Sequence, residues 1–283
     1  MTYDPSLELI DLALREDLSL GDLTSEATVP IDRQATATML AKQDGVISGM
    51  AAARAVFTRI DPSVRFEALV ADGDQVSRGT KLAVISGNAR SILAAERTAL
   101  NFIQRLSGIA TVTAAYVAQV AGTGAAVIDT RKTTPGLRAL EKAAVRHGGG
   151  ANHRFNLGDA VLIKDNHLAA IGGPHPIRDA ILAAKKRAPH TSKVEVEVVD
   201  LAGVREALDA GADIIMLDNM SHDEMREAVK LVGHRALVEA SGGITLETLA
   251  DVAATGVDLI SAGALTHSAP SLDISLDFEI ATS

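Results

Sequence analysis

The 283-residue chain contains no cysteine and no tryptophan, and aromatic residues supply only 2% of it. Without cysteine there is no disulfide, no thiolate metal site and no cysteine nucleophile, and a cytoplasmic location is the default expectation. With so few aromatics, a stacking platform for single-stranded nucleic acid is not expected. Net positive charge is also missing: the formal charge is −9 and the pI near 5.4. Neither DNA nor an anionic membrane would be attracted by that average field, so any anionic ligand must be caught locally. The N-terminus, "MTYDPSLELIDLALREDL", carries acids where a signal peptide needs Lys or Arg, and reads as an amphipathic helix. Leu106 to Ile128 is free of charge, yet Ala, Thr, Ser, Gly and Gln dominate it. A helix running into a buried strand is expected there, not a membrane span.

What is present describes a globular protein with a large core: 47% hydrophobic and 22% charged residues. From Ala125 onward a short apolar run, a polar residue or Gly, and an Ala-rich amphipathic segment alternate. The runs are "AAVID" (125–129), "AVLIKD" (160–165), "VEVEV" (194–198), "DIIMLDN" (213–219), "ALVEASGG" (236–243) and "DLISAG" (258–263). The intervening helices are expected in "IRDAILAAKKRA", "LAGVREALDAGA", "SHDEMREAVKLV" and "TLETLADVAATG". Such alternation predicts a parallel sheet with right-handed crossovers, either doubly wound or a TIM-type barrel. Upstream, "ATATMLAKQDGVISG" and "VRFEALVADGDQVSRGTKLAVISG" read as strands separated by Gly and Asp turns, followed by the helical "NARSILAAERTALNFIQRLSG". Near the C-terminus, "SLDISLDFEI" alternates Leu272, Ile274, Leu276 and Phe278 with polar neighbours, which predicts a strand returning to the N-terminal sheet.

Barrel enzymes build their sites at the C-terminal ends of the strands. All six runs end polar or in glycine: Asp129, Arg131 and Lys132; Lys164 and Asp165; Glu197; Asp218; Ser241 and Gly242; Gly263. Glu195 and Glu197 share one face of their strand, and an inward carboxylate needs a cation. Glu197 and Asp218 could share Mg²⁺, or Glu197 could pair with Lys164 or Arg131. "SGGITLETL" places Ser241, Gly242 and Gly243 ahead of a helix, as a phosphate site requires, and "SAGALTHS" adds His267. Arg131, Lys132, His153, Arg154 and Lys164 concentrate positive charge in an acidic chain, so the implied ligands are highly anionic. Arg138, Lys142 and Arg146 recur at helical spacing and read as a solvated face with Glu141.

"DTRKTTPGLRALEKAAVRHGGGANHR", "LIKDNH", "VEVEV", "MLDN", "EASGGI" and "SAGALTHS", with "LREDLSLGDLTSE" and "AERTALNFIQRLSGIAT" upstream, closely resemble the quinolinate phosphoribosyltransferases. The likeness runs through nearly the whole chain in the same order, although 169–192 matches no motif. It implies an N-terminal α/β sandwich (1–105), an open TIM-like α/β barrel of fewer than eight strands (106–267), and a tail (268–283) returning to the first domain. The implied reaction converts quinolinate and phosphoribosyl pyrophosphate to nicotinate mononucleotide, pyrophosphate and CO₂ with Mg²⁺, in NAD biosynthesis. By the same resemblance Arg131, His153, Arg154 and Lys164 hold the two quinolinate carboxylates, and Arg97 comes from a neighbouring subunit of a homodimer or larger assembly. Lys132 serves the ribose and pyrophosphate side, Glu197 and Asp218 the ribose and metal, and Ser241, Gly242, Gly243, Gly263 and His267 the 5′-phosphate.

Three other readings compete. Molybdenum-transport-associated paralogues share many of these motifs. A Schiff-base aldolase could use Lys164. "VADGDQVSRGTKLAVISG" resembles biotinyl or lipoyl carrier domains, but lacks a lysine in the middle of the expected turn.

Overall fold

The computed structural model describes residues 5–279, so the expectations for residues 1–4 and 280–283 lie outside it. The first part of the chain forms α1 (Pro5–Leu18), α2 (Leu23–Thr28), β1 (Gln34–Ala41), β2 (Gly45–Val46), α3 (Met50–Ile60), β3 (Arg65–Ala68), β4 (Gln75–Val76), β5 (Lys81–Asn88) and α4 (Ala89–Gln119). Then follow β6 (Ala126–Ile128), α5 (Arg138–His147), β7 (Val161–Ile163), α6 (Asp165–Ile171), α7 (Pro176–Arg187) and β8 (Val194–Val198). The last elements are α8 (Leu201–Asp209), β9 (Ile214–Asp218), α9 (His222–Val232), β10 (Leu237–Ser241), α10 (Leu249–Ala253), β11 (Leu259–Ser261), α11 (Ala264–His267) and β12 (Ile274–Glu279).

Two compact units result. One holds the chain up to Ala114, Thr133–Gly149 and the residues from Leu265 on; the other holds Ala115–Lys132 and Gly150–Ala264. Thus 133–149, placed with the barrel by the sequence motifs, belongs to the first unit.

In the first unit an antiparallel sheet runs β12-β1-β5-β3. The returning tail is there: β12 pairs with β1, with Ala37 opposite Phe278 and Ala41 opposite Ile274. Alternation explains the register, since Ala37, Met39, Ala41, Ile274 and Leu276 are buried on the core side. They join a core with Phe57 and Val56 of α3 and Ile92, Ile103 and Leu100 of α4. A Cβ on Gly108 would lie 1.9 Å from the Pro270 carbonyl oxygen, so only glycine admits this approach to the tail segment. Of the solvated face expected on α5, only Arg146 is exposed. Glu141 and Lys142 are buried, and Glu141 accepts hydrogen bonds from Arg105 Nη2 (3.0 Å), Thr134 N (3.0 Å) and Thr134 Oγ1 (2.7 Å).

In the second unit the six expected strands form one parallel sheet in the order β6-β11-β10-β9-β8-β7. Among the described residues no ladder joins β6 to β7, so the barrel is open. Both faces are covered, which is why Val194, Val196 and Val198 and their neighbours Ile215, Leu217, Val238 and Ala240 are all buried. The helices start where their caps dictate: Asp200 accepts from Gly203 N (2.7 Å) at α8, and Ser221 and Glu224 form a reciprocal box at α9. α10 is shorter than expected. Residues 245–248 form a turn closed by Thr248 N to Thr245 O (3.2 Å), so the helix does not begin directly after Gly243. No helix of the described residues is long and apolar enough to cross a membrane, and Leu106 to Ile128 runs from α4 into β6 as expected.

Candidate active site

The C-terminal strand ends of the second unit surround a cavity of about 590 Å³. Its walls carry Arg131, Lys132, His153, Arg154, Lys164, Glu197, Asp218, Ser241, Gly242 and Gly243 of the expected set, together with Thr130, Asn219, Glu239 and Ser261. Gly263 is not on these walls. Arg97 and His267 belong to the first unit, where Arg97 borders a cavity of about 290 Å³ with Glu16, Asp17 and Asn101, and His267 Nδ1 lies 2.6 Å from Ser268 Oγ.

Each cation is held by its local backbone. Lys164 starts α6, where its N–H donates to His167 Nδ1 (2.9 Å), and its ammonium pairs with Glu197. Of the two cations weighed for Glu197, Lys164 is the one it meets. Arg131 and Arg154 each keep a buried Nε without a partner. Burial, then the charge of Arg131, pushes the Arg154 guanidinium below its ordinary value. The two arginines thus repel each other in a poorly hydrated place, an arrangement that an incoming carboxylate would relieve.

The segment carrying His153 and Arg154 is anchored by Asp129, a fully buried carboxylate accepting from His153 N (2.8 Å) and Asn152 Nδ2 (2.6 Å). The His153 ring is fixed at both nitrogens: Nδ1 accepts from Arg154 N (2.6 Å), so Nε2 carries the proton and meets Glu195 Oε2 at 3.1 Å. Glu239 Oε2 lies 3.9 Å from the same nitrogen, and neither Glu239 oxygen has a hydrogen-bond partner. Burial, then the Glu195 carboxylate, raises the Glu239 acid well above its ordinary value. Sequence reasoning passed over Glu239, although an acid amid "ALVEAS" carries the same signal that drew attention to Glu195.

At the far wall Asn219 sits in the left-handed region (φ 54°) and donates from Nδ2 to Asp218 (2.9 Å). Gly242 also has positive φ (94°), and a Cβ there would fall 2.3 Å from Asn219 Oδ1. Glycine is therefore required twice over, by dihedral and by space.

Two groups of donors invite a cation. Asp218 and Glu197 offer the hard oxygens that suit Mg²⁺ beside substrate phosphates, but Glu197 is already paired with Lys164. His153, Glu195 and Glu239 bring ligand atoms within 4.8 Å of one another. There the charge of Arg154 beside Glu195 and that of Lys164 acting on Glu239 oppose a divalent ion.

Comparison with known proteins finds relatives over nearly the whole chain. The sequence pattern of the quinolinate phosphoribosyl transferase C-terminal domain matches residues 109–277, and that of the N-terminal domain matches 22–107. A Nicotiana tabacum protein named quinolinate phosphoribosyltransferase [decarboxylating] 2b, mitochondrial, is 45% identical over 98% of this chain and 83% of its own. A probable nicotinate-nucleotide pyrophosphorylase [carboxylating] of Bacillus subtilis is 45% identical over 95% of this chain and 92% of its own. The crystal structure of NadC from Streptococcus pyogenes superimposes with a TM-score of 0.92 at 44% identity, covering 99% of this chain and 100% of that one. The chain belongs to the quinolinate phosphoribosyltransferase family.

Proposed function

We propose that the cavity binds quinolinate through Arg131, Arg154 and Lys164 and joins it to the phosphoribosyl group of phosphoribosyl pyrophosphate, yielding nicotinate mononucleotide, pyrophosphate and CO₂ in NAD biosynthesis. The observation that carries this is the pair of buried guanidinium nitrogens, Arg131 Nε and Arg154 Nε, left without partners on a cavity wall. Buried donors are ordinarily satisfied, so these mark where ligand oxygens go. The quinolinate nitrogen attacks ribose C1, the N–C bond forms and the C–O bond to pyrophosphate breaks. Glu197 and Asp218 offset the positive charge that develops on the ribose, and Lys132 meets the departing pyrophosphate. Asp218, whose partner is the neutral Asn219 amide, fits Mg²⁺, which when bound with the pyrophosphate oxygens offsets their charge. Ser241, Gly242 and Gly243 take the 5′-phosphate through backbone N–H groups, with Gly263 and His267 assigned to it by family likeness. His153 orients the pocket by tying Arg154 N to Glu195.

The Schiff-base alternative would break the Lys164–Glu197 pair. We assign the active protein to a homodimer or larger assembly in which Arg97 enters the partner's site. A cytoplasmic location fits the lack of cysteine, whereas one Nicotiana tabacum relative is named mitochondrial.

The test is a chromatographic assay for nicotinate mononucleotide with purified protein, quinolinate, phosphoribosyl pyrophosphate and Mg²⁺. Nicotinic acid, which lacks the 2-carboxylate, should react at least ~30-fold less well, since a buried charge losing its partner costs about 2 to 5 kcal/mol. Equal turnover of the two acids would overturn the assignment.

A further inference from the structure

The proposed reaction ends with a proton requirement that none of the residues assigned so far meets. When CO₂ leaves the ring carbon beside the new pyridinium nitrogen, the electron pair of the broken bond stays on that carbon. One proton must then be supplied inside the cavity. Resting on the reading of the cavity as the quinolinate site, we propose that Glu239 is the proton donor, with Glu195 and His153 holding that proton in place.

The geometry is specific. Glu239 is 1% exposed and Glu195 3%, yet Glu239 lines the cavity wall. Their carboxyl oxygens and His153 Nε2 lie within 4.8 Å of one another. The single Nε2–H of the ring is spent on Glu195, at 3.1 Å against 3.9 Å for Glu239. Both Glu239 oxygens and Glu195 Oε1 are buried without partners. Two carboxylates so close and so poorly hydrated do not both ionise, and Glu239, the one farther from the His153 N–H, keeps the proton. Burial, then Glu195, pushes Glu239 in that direction, while the Ser261 hydroxyl and then the charge of Lys164 pull the other way without cancelling it. The titratable and charged groups around Glu239 are thus Glu195, His153, Lys164 and, through Glu195, Arg154.

The balance closes without a further reactant. The bond between the ring carbon and its carboxylate breaks, and the pair remains on carbon. The Glu239 O–H bond breaks and its proton joins the carbon, leaving a Glu239 carboxylate that takes a proton from water once product departs. The other cavity cations are committed elsewhere, Lys164 to Glu197 and, with the arginines, to the substrate carboxylates, and Lys132 to the pyrophosphate.

Single-turnover experiments with Glu239→Gln separate the two halves of the reaction. Pyrophosphate release should stay within about 3-fold of wild type, while nicotinate mononucleotide appears about 100-fold or more slowly, the size of effect expected for a lost general acid. The carboxylated mononucleotide should accumulate meanwhile. Where the Gln variant fails to fold, Glu239→Asp, which draws the acid back by one methylene, should show the same lag in smaller degree. Product formation in step with pyrophosphate release in either variant, or both steps slowed equally, overturns the role of Glu239. A wild-type protein that releases no pyrophosphate from these substrates overturns the reading of the cavity as well.

Discussion

Buried charge is treated in opposite ways in the two units. In the first, Glu141 accepts from Arg105 and Thr134, and Arg105 also reaches the carbonyls of Ala269 (2.8 Å) and Thr266. In the second, Arg131, Arg154, Glu195, Glu239 and Ser261 all keep buried polar atoms without partners, and every one except Glu195 lines a single cavity. The first arrangement is a structural closure, in which both carboxylate oxygens meet donors from the chain itself. The second leaves a set of unmet demands that only a ligand or a proton can answer, so substitutions in the two places should separate stability from activity.

The largest effect should come from the open set. Arg131→Lys keeps the charge but not the forked geometry, and Lys164→Ala removes the partner of Glu197. Each should lower kcat/KM by about 100-fold or more while the melting temperature stays within a few degrees of wild type. Near-normal kinetics in both variants would put the carboxylate pocket elsewhere.

Arg97 tests whether the first unit contributes to catalysis at all. Alone, Arg97→Ala should be inactive; mixed with inactive Lys164→Ala under conditions of subunit exchange, activity should return. About half of randomly paired dimers would be mixed, each with one intact site, so roughly a quarter of wild-type activity is expected. Background activity despite demonstrated exchange would rule out a shared site.

Glu141→Ala inverts the outcome for Arg131. Loss of the buried acid strands Arg105 and two Thr134 donors, at a cost of about 3 kcal/mol. Melting should drop by roughly 6 to 12 °C. The kinetics of the folded enzyme should be close to wild type, and a kcat loss with unchanged melting would contradict the division drawn here.

How much of this could be read in advance depended on whether the signal was local. The six barrel strands were legible because each is a short apolar run closed by a polar end, and the cavity cations because they stand at those ends. The sandwich tail was legible from the alternation of Leu272, Ile274 and Leu276. What failed was long-range: Arg138, Lys142 and Arg146 have the spacing of a solvated face, and nothing local reveals that Arg105, over thirty positions upstream, takes Glu141 into the interior. Glu239 is a different case: the acid amid "ALVEAS" carries a local signal, and only its meeting with Glu195 and His153, which stand on other segments, lies outside the local pattern. The turn after Gly243 escaped because Thr245 and Thr248 satisfy each other before any helix begins.

The smallest expected effect lies where charge is neither buried nor open, at the exposed box that starts α9. Ser221 Oγ donates to Glu224 (2.6 Å) and the Ser221 N–H does so too (2.9 Å), and these bonds, the hydroxyl first, hold the Glu224 carboxyl below its ordinary value of 4.5. An acid lowered by folding contributes stability above its unfolded value, and that contribution is lost as pH falls through the lowered folded value. Ser221→Ala should therefore lower the melting temperature near neutral pH by about 2 to 4 °C, the usual scale for a lost N-cap. The deficit should shrink, without vanishing, as acid protonates Glu224 in the wild type, because the Glu224 N–H to Ser221 Oγ cap does not titrate. Because neither Ser221 nor Glu224 lines the cavity, kcat and KM should not change. A deficit that grows with acid, or a change in KM, would show that this cap is tied to the open site after all.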